Sequence, residues 1–128
     1  MPSLPQTFRP RGAPTSREQD RARGSARARG YNARWDRVAA RFKQTYPLCR
    51  GCEAIDRVEA TAVVDHIEPH RGDQGLFWAP DNWQPLCRFH HDAVKRRLEH
   101  EWQSGRLRRD QLAIDSDRAI ALTRELLG

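Results

Sequence analysis

Cys87, His90 and His91 fall within one stretch, PLCRFHHDAVK, and the other two of the three cysteines, Cys49 and Cys52, lie upstream as CRGC. Structural zinc takes four nitrogen or sulfur ligands, commonly as two short-spaced pairs far apart in sequence. Cys49-x-x-Cys52 supplies one pair and Cys87-x-x-His90 the other, a Cys3His site in which both half-motifs have the two-residue gap. The competing reading is three buried cysteines acting as small hydrophobes. An odd cysteine count and the lack of an apolar leader in MPSLPQTFRPRG are expected of a cytoplasmic chain, where Cys-x-x-Cys binds metal rather than closing a disulfide.

His91 needs a different partner. In a helix starting near Arg88, adjacent residues are about 100° apart around the axis, so His90 and His91 cannot easily serve one ion. Lys95, four residues on, shares a face with His91. The stretch VVDHIEPH offers what that face lacks: Asp65 and His66 at a strand end. One carboxylate oxygen of Asp65 and one imidazole nitrogen of His91 make a two-ligand seat for a divalent cation, with positions left for water and phosphate oxygens. Mg²⁺, Mn²⁺ or the softer Ni²⁺ suits such a mixed seat. His66 then stays free as a general base, with an ordinary pKa near about 6.5. Asn82 is an uncharged amide suited to pinning the loop that orients His66. His70 and Arg71 in that loop, and Lys95 on the helix, are the expected substrate contacts; for His70 and Arg71 plain loop surface is an equal alternative.

These groups must be carried by short elements. Trp35, Val38, Ala39 and Phe42 recur at helical spacing after Asn32, a candidate N-cap, and Pro47 closes the segment. The stripe reads as core, with no function assigned to Trp35. RVEATAVVDHI is β-branched and reads as one or two short strands. Residues 68–83 hold two prolines and two glycines and are expected to be mainly loop, with Phe77 and Trp78 packed inward. A helix is expected from Arg88 to a stop at Gly105, and another from about Ser116.

Charge is concentrated at the N-terminus. Residues 1–30 carry seven arginines against Glu18 and Asp20, a net +5 of the chain's +6. That segment is too poor in large apolar residues to offset its ordering entropy, so a disordered arm is expected that either attracts phosphate backbones or serves as a solvated tail. No apolar run approaches the ~20 residues that span a bilayer, so no membrane partner is expected.

Asp65-His66, then Asn82, then His91 beside a zinc knuckle resembles the HNH endonuclease family, and VVDHIEPHRGDQGLFWAPDNWQPLCRFHHDAVK is similar to small HNH nucleases of tailed phages and prophages. The resemblance covers about residues 30–100. It implies an α+β fold, a small ββα-metal domain of treble-clef type with structural zinc, flanking helices and the disordered basic arm. The corresponding organisation is an arm (1–30), a nuclease domain (31–103) and a C-terminal helical extension (104–128). It implies Asp65 and His91 as ligands of the catalytic cation, His66 as base and Asn82 as the structural asparagine. It further implies DNA as substrate with little sequence preference, a bacterial cytoplasmic setting, and a role in phage genome packaging beside terminase and portal proteins. One departure is that such nucleases usually end the second knuckle in Cys-x-x-Cys-His, where this chain has His90. A zinc DNA-binding or packaging accessory module without catalysis, and a nuclease acting on RNA, are the competing functions.

Overall fold

The structure, a computed structural model, describes residues 31–128; the expected arginine-rich arm, residues 1–30, lies outside them. The first helix, α1 (Ala33–Thr45), starts where the Asn32 side chain accepts the Trp35 N–H at 3.1 Å, and it ends just before Pro47. A single-turn helix α2 (Arg50–Glu53) follows, begun by Cys49 and flanked by an isolated bridge between Leu48 and Ala60.

Strand β1 (Val63–His66) pairs antiparallel with β2 (Trp83–Leu86), with Val63 opposite Leu86, Val64 opposite Pro85, Asp65 opposite Gln84 and His66 opposite Trp83. Between them lie a short helix α3 (Gln74–Phe77), capped by Asp73, and a 3-10 turn Pro80–Asn82. A strand at 83–86 runs against the loop expected through Trp83 and the proline at 85. The ladder explains why Pro85 is tolerated. Ile67 N–H donates to the Asn82 carbonyl at 2.7 Å, and stepping by two from that pair leaves Pro85 at a position that donates nothing to β1.

The chain turns helical at Arg88, passes through a π-helical segment His90–Lys95, and continues as α4 (Arg96–Gln103) until Gly105, whose φ of +78° suits a helix stop. After a 3-10 turn Arg109–Gln111, α5 (Asp117–Leu127) begins at Ser116, whose hydroxyl caps the Ala119 N–H. The architecture is thus α+β: several short helices around a two-stranded sheet. Among the described residues no helix is long and apolar enough to cross a membrane.

Two cores form. One packs Leu86, Val94, Leu98, Leu112, Ile114 and Leu122 around the three cysteines. Each of these six aliphatic side chains is at most 1% exposed, and full burial of one stabilises by about 1.5–3 kcal/mol. The 104–128 segment therefore shares its core with the knuckle. Arg118 adds a two-point ion pair to Glu101 at 2.7 and 3.0 Å, fastening α5 to α4. The second core is aromatic, with Trp35, Phe77 and Trp83 packed together on the other side of the sheet.

Candidate active site and metal centre

The four knuckle residues converge. His90 Nδ1 lies 3.5, 3.4 and 3.4 Å from the sulfurs of Cys49, Cys52 and Cys87, and the Cys52 and Cys87 sulfurs are 3.8 Å apart. Ligands at zinc-like bond lengths on a tetrahedron would stand about 3.6 Å apart for sulfur to nitrogen and about 3.8 Å for sulfur to sulfur. The spacing is compatible with structural zinc, and among the described residues this is the one group of three or more metal-binding side chains so arranged. Burial pushes the Cys49 and Cys52 thiols up from their ordinary pKa; at Cys52 the neighbouring sulfurs add to the rise, whereas at Cys49 backbone N–H groups of Cys87 and Cys52 oppose it. Three sulfurs held together in this way call for a cation to stabilise their thiolate form.

Two residues besides the four candidate ligands shape that site. A Cβ at Gly51 would run into the His90 ring, so glycine is needed there for close approach. Thr123 on α5 donates its hydroxyl to the Ala119 carbonyl at 2.8 Å, so its oxygen accepts His90 Nε2–H at 3.3 Å. That bond places the proton on Nε2 and leaves the Nδ1 lone pair facing the sulfurs.

His66, at the end of β1, is only 7% exposed. Its ring stacks on Trp35 with centroids 5.1 Å apart at 23°, so Trp35 is core and also a wall for His66. His66 Nε2 lies 3.0 Å from the Phe77 carbonyl, which also accepts Trp83 Nε1–H at 2.8 Å. With Nε2 donating, Nδ1 is the unprotonated nitrogen. Burial lowers the His66 pKa below its ordinary value, outweighing the opposing pull of the Phe77 bond.

Asn82 is 8% exposed and spends its amide on backbone. It accepts Glu68 N–H at 2.9 Å and donates to the carbonyls of Glu68 at 3.0 Å and Leu76 at 3.1 Å. It thereby staples the residue two past His66 to the residue preceding Phe77, and so sets where the Phe77 carbonyl meets the imidazole.

Asp65 and His91 face each other, with Oδ1 3.9 Å from Nε2. His91 Nδ1 is engaged by Asp92 Oδ1 at 2.8 Å, which leaves Nε2 for a ligand. Asp65 Oδ2 accepts from Gln84 Nε2 at 3.0 Å and pairs with Lys95 Nζ at 3.2 Å. The donor set, one carboxylate oxygen and one imidazole nitrogen, fits a divalent cation: two atoms each about 2.1 Å from one ion can stand up to about 4.2 Å apart, and half-exposed His91 is able to close further. The π-helical turn presents His91 and Lys95 to the same carboxylate.

Lys95 is a correction. It was expected to contact substrate, but it is 1% exposed and its ammonium is taken by the His66 carbonyl at 2.8 Å, Glu99 at 2.7 Å and Asp65. A long side chain on the face toward β1 reaches into the sheet end rather than into solvent. His70 stands at the cleft wall, its Nδ1 accepting Gly72 N–H at 3.0 Å and its Nε2 paired with the Tyr31 hydroxyl at 3.1 Å. Burial lowers the His70 pKa. Arg71, in the left-handed region at φ +48°, carries its guanidinium 5.7 Å from the Trp102 ring centroid.

Asp65, His66, His70, Arg71 and His91 all line one open cleft of about 940 Å³. Cys49, Cys52, Cys87 and His90 do not line it, so the two adjacent histidines lie in different places. Thr123 and Gln84 carried no signal in the sequence as read. Gln84 becomes visible only once β2 is recognised, because it then stands directly opposite Asp65. No protein-family model matches the chain, and neither the curated proteins nor the solved structures provide a match.

Proposed function

We propose that the chain is a metal-dependent endonuclease of the HNH type, with the ββα-metal arrangement, which hydrolyses DNA phosphodiester bonds with little sequence preference. The supporting observation is the cleft itself: Asp65, His66 and His91 line one space, and one heteroatom of each side chain is already engaged, Oδ2, Nε2 and Nδ1 respectively.

His66, neutral near neutral pH, takes a proton from a water at Nδ1 while Phe77 holds Nε2–H. The water oxygen attacks phosphorus in line, and the bond to the leaving 3′ oxygen breaks. Asn82 and Trp35 keep the imidazole from turning. A divalent cation held by Asp65 and His91 would supply stabilisation of charge on the phosphate and leaving oxygen. Arg71 at the rim, together with the basic residues 1–30, suits the phosphate backbone. A place in phage genome packaging, with terminase and portal proteins as partners in a bacterial cell, rests on the sequence resemblance alone.

Supercoiled plasmid incubated with the zinc-loaded protein across Mg²⁺, Mn²⁺ and Ni²⁺ tests this. Nicked circles are expected, and a folded His66→Ala variant is expected to lose at least ~100-fold in rate. Plasmid binding with no nicking in any cation would make the chain an accessory DNA-binding module instead. Cleavage confined to RNA would move the substrate class.

A further inference from the structure

We infer that Gln84 is a positioning residue that sets the Asp65 carboxylate for the cation and makes that setting depend on the C-terminal segment. This rests on the reading of Asp65 and His91 as a cation seat. Gln84 is fully buried and stands directly across the sheet from Asp65. Its Nε2 donates to Asp65 Oδ2 at 3.0 Å, and its Oε1 accepts the Ile114 N–H at 3.0 Å. Both ends of the amide are therefore used.

The chemistry of that bridge is narrow. A carboxylate at position 84 would oppose Asp65, an ammonium would leave the buried Ile114 N–H without an acceptor, and an aliphatic side chain would serve neither. With Gln84 and Lys95 both on Oδ2, Oδ1 is the oxygen that faces His91. Ile114 is fully buried among Leu112, Ala119 and Leu122, so its N–H is placed by core packing of residues that follow the helix of the site. The chain of positions runs from that core to Ile114, to Gln84, to Asp65. A partner that orients a ligand in this way typically changes metal affinity by about 10–100-fold when removed.

The test uses the full-length, zinc-loaded chain and Mn²⁺ as probe, with free Mn²⁺ followed by electron paramagnetic resonance and fold followed by zinc content and thermal unfolding. Wild type is expected to bind Mn²⁺ in a manner abolished by Asp65→Ala. Gln84→Met, similar in volume but unable to make either bond, and Gln84→Asn, too short to span both partners, are expected to bind Mn²⁺ at least about tenfold more weakly while keeping zinc. Mn²⁺ affinity within about twofold of wild type in either folded variant overturns the inference and leaves the nuclease reading intact. Loss of zinc and fold in both variants also overturns it, since Gln84 would then be a general structural residue. No Asp65-dependent Mn²⁺ binding in wild type overturns the cation seat and this inference together. Binding that behaves as expected without any plasmid nicking sinks the nuclease reading and leaves Gln84's role standing.

Discussion

Thr123→Val isolates the contact by which the last helix holds the knuckle histidine. Valine keeps the β-branched shape and removes only the hydroxyl. His90 and Thr123 are 0% and 1% exposed, so water has no easy route to replace the lost acceptor of His90 Nε2–H. A buried donor left without a partner costs about 1–3 kcal/mol. The original bond, at 3.3 Å, is long, which favours the lower half of that range. The Ala119 carbonyl also loses the Thr123 hydroxyl, but it sits inside α5 and keeps access to a helical N–H, so little is added. At about 1.4 kcal/mol per factor of ten, a cost of about 1–2 kcal/mol predicts zinc bound about 5- to 30-fold more weakly. The assay is equilibrium competition with a chromophoric chelator, alongside thermal unfolding at fixed free zinc. Thr123→Ser, which retains the hydroxyl, is the control and should bind zinc near the wild-type level. Unchanged zinc affinity in Thr123→Val, with an equal loss of melting temperature in both variants, would refute the reasoning and leave Thr123 as packing alone.

The division between the adjacent histidines predicts that His90→Ala loses zinc and melts lower, whereas His91→Ala keeps zinc and fold but fails to nick; elemental analysis and a plasmid assay on each decide, and zinc loss in His91→Ala would merge the two sites. His90→Cys should keep both zinc and activity. Because burial lowers the His66 pKa, the acid limb of the rate profile should fall below the ordinary histidine value of about 6.5, and a limb above it would argue against His66 as base. His66, His70 and His90 are all lowered, each chiefly by burial, so the unfolded chain binds more protons as pH drops through that region. Stability should therefore hold above about pH 6.5 and decline below it; a melting temperature that rises on acidification from about pH 7 to 5 would contradict this sign.

The starts of α1 and α5 and the stop of α4 were legible from local chemistry alone, whereas the short α2 and α3 were not. Asn32 and Ser116 cap because a short side-chain acceptor reaches the N–H three residues on, and Gly105 stops α4 because only glycine adopts φ +78° without strain. The Cys3His cluster, compatible with structural zinc, was legible for a similar reason, since two-residue gaps place paired side chains within reach of one ion. Strand β2 was not, because Pro85 argues against a strand until its free side is known, and that depends on which residue of β1 it faces. What Gln84 and Thr123 do was likewise undecided, and Lys95 was expected at substrate rather than at the sheet end, because the partners are 19, 33 and 29 residues away. A buried polar side chain acquires its role from whichever group the fold brings to it, and that meeting is settled by packing rather than by spacing. Residue type and spacing determined which groups were candidates for chemistry; the tertiary structure decided which of them line one cleft and which atom of each is held.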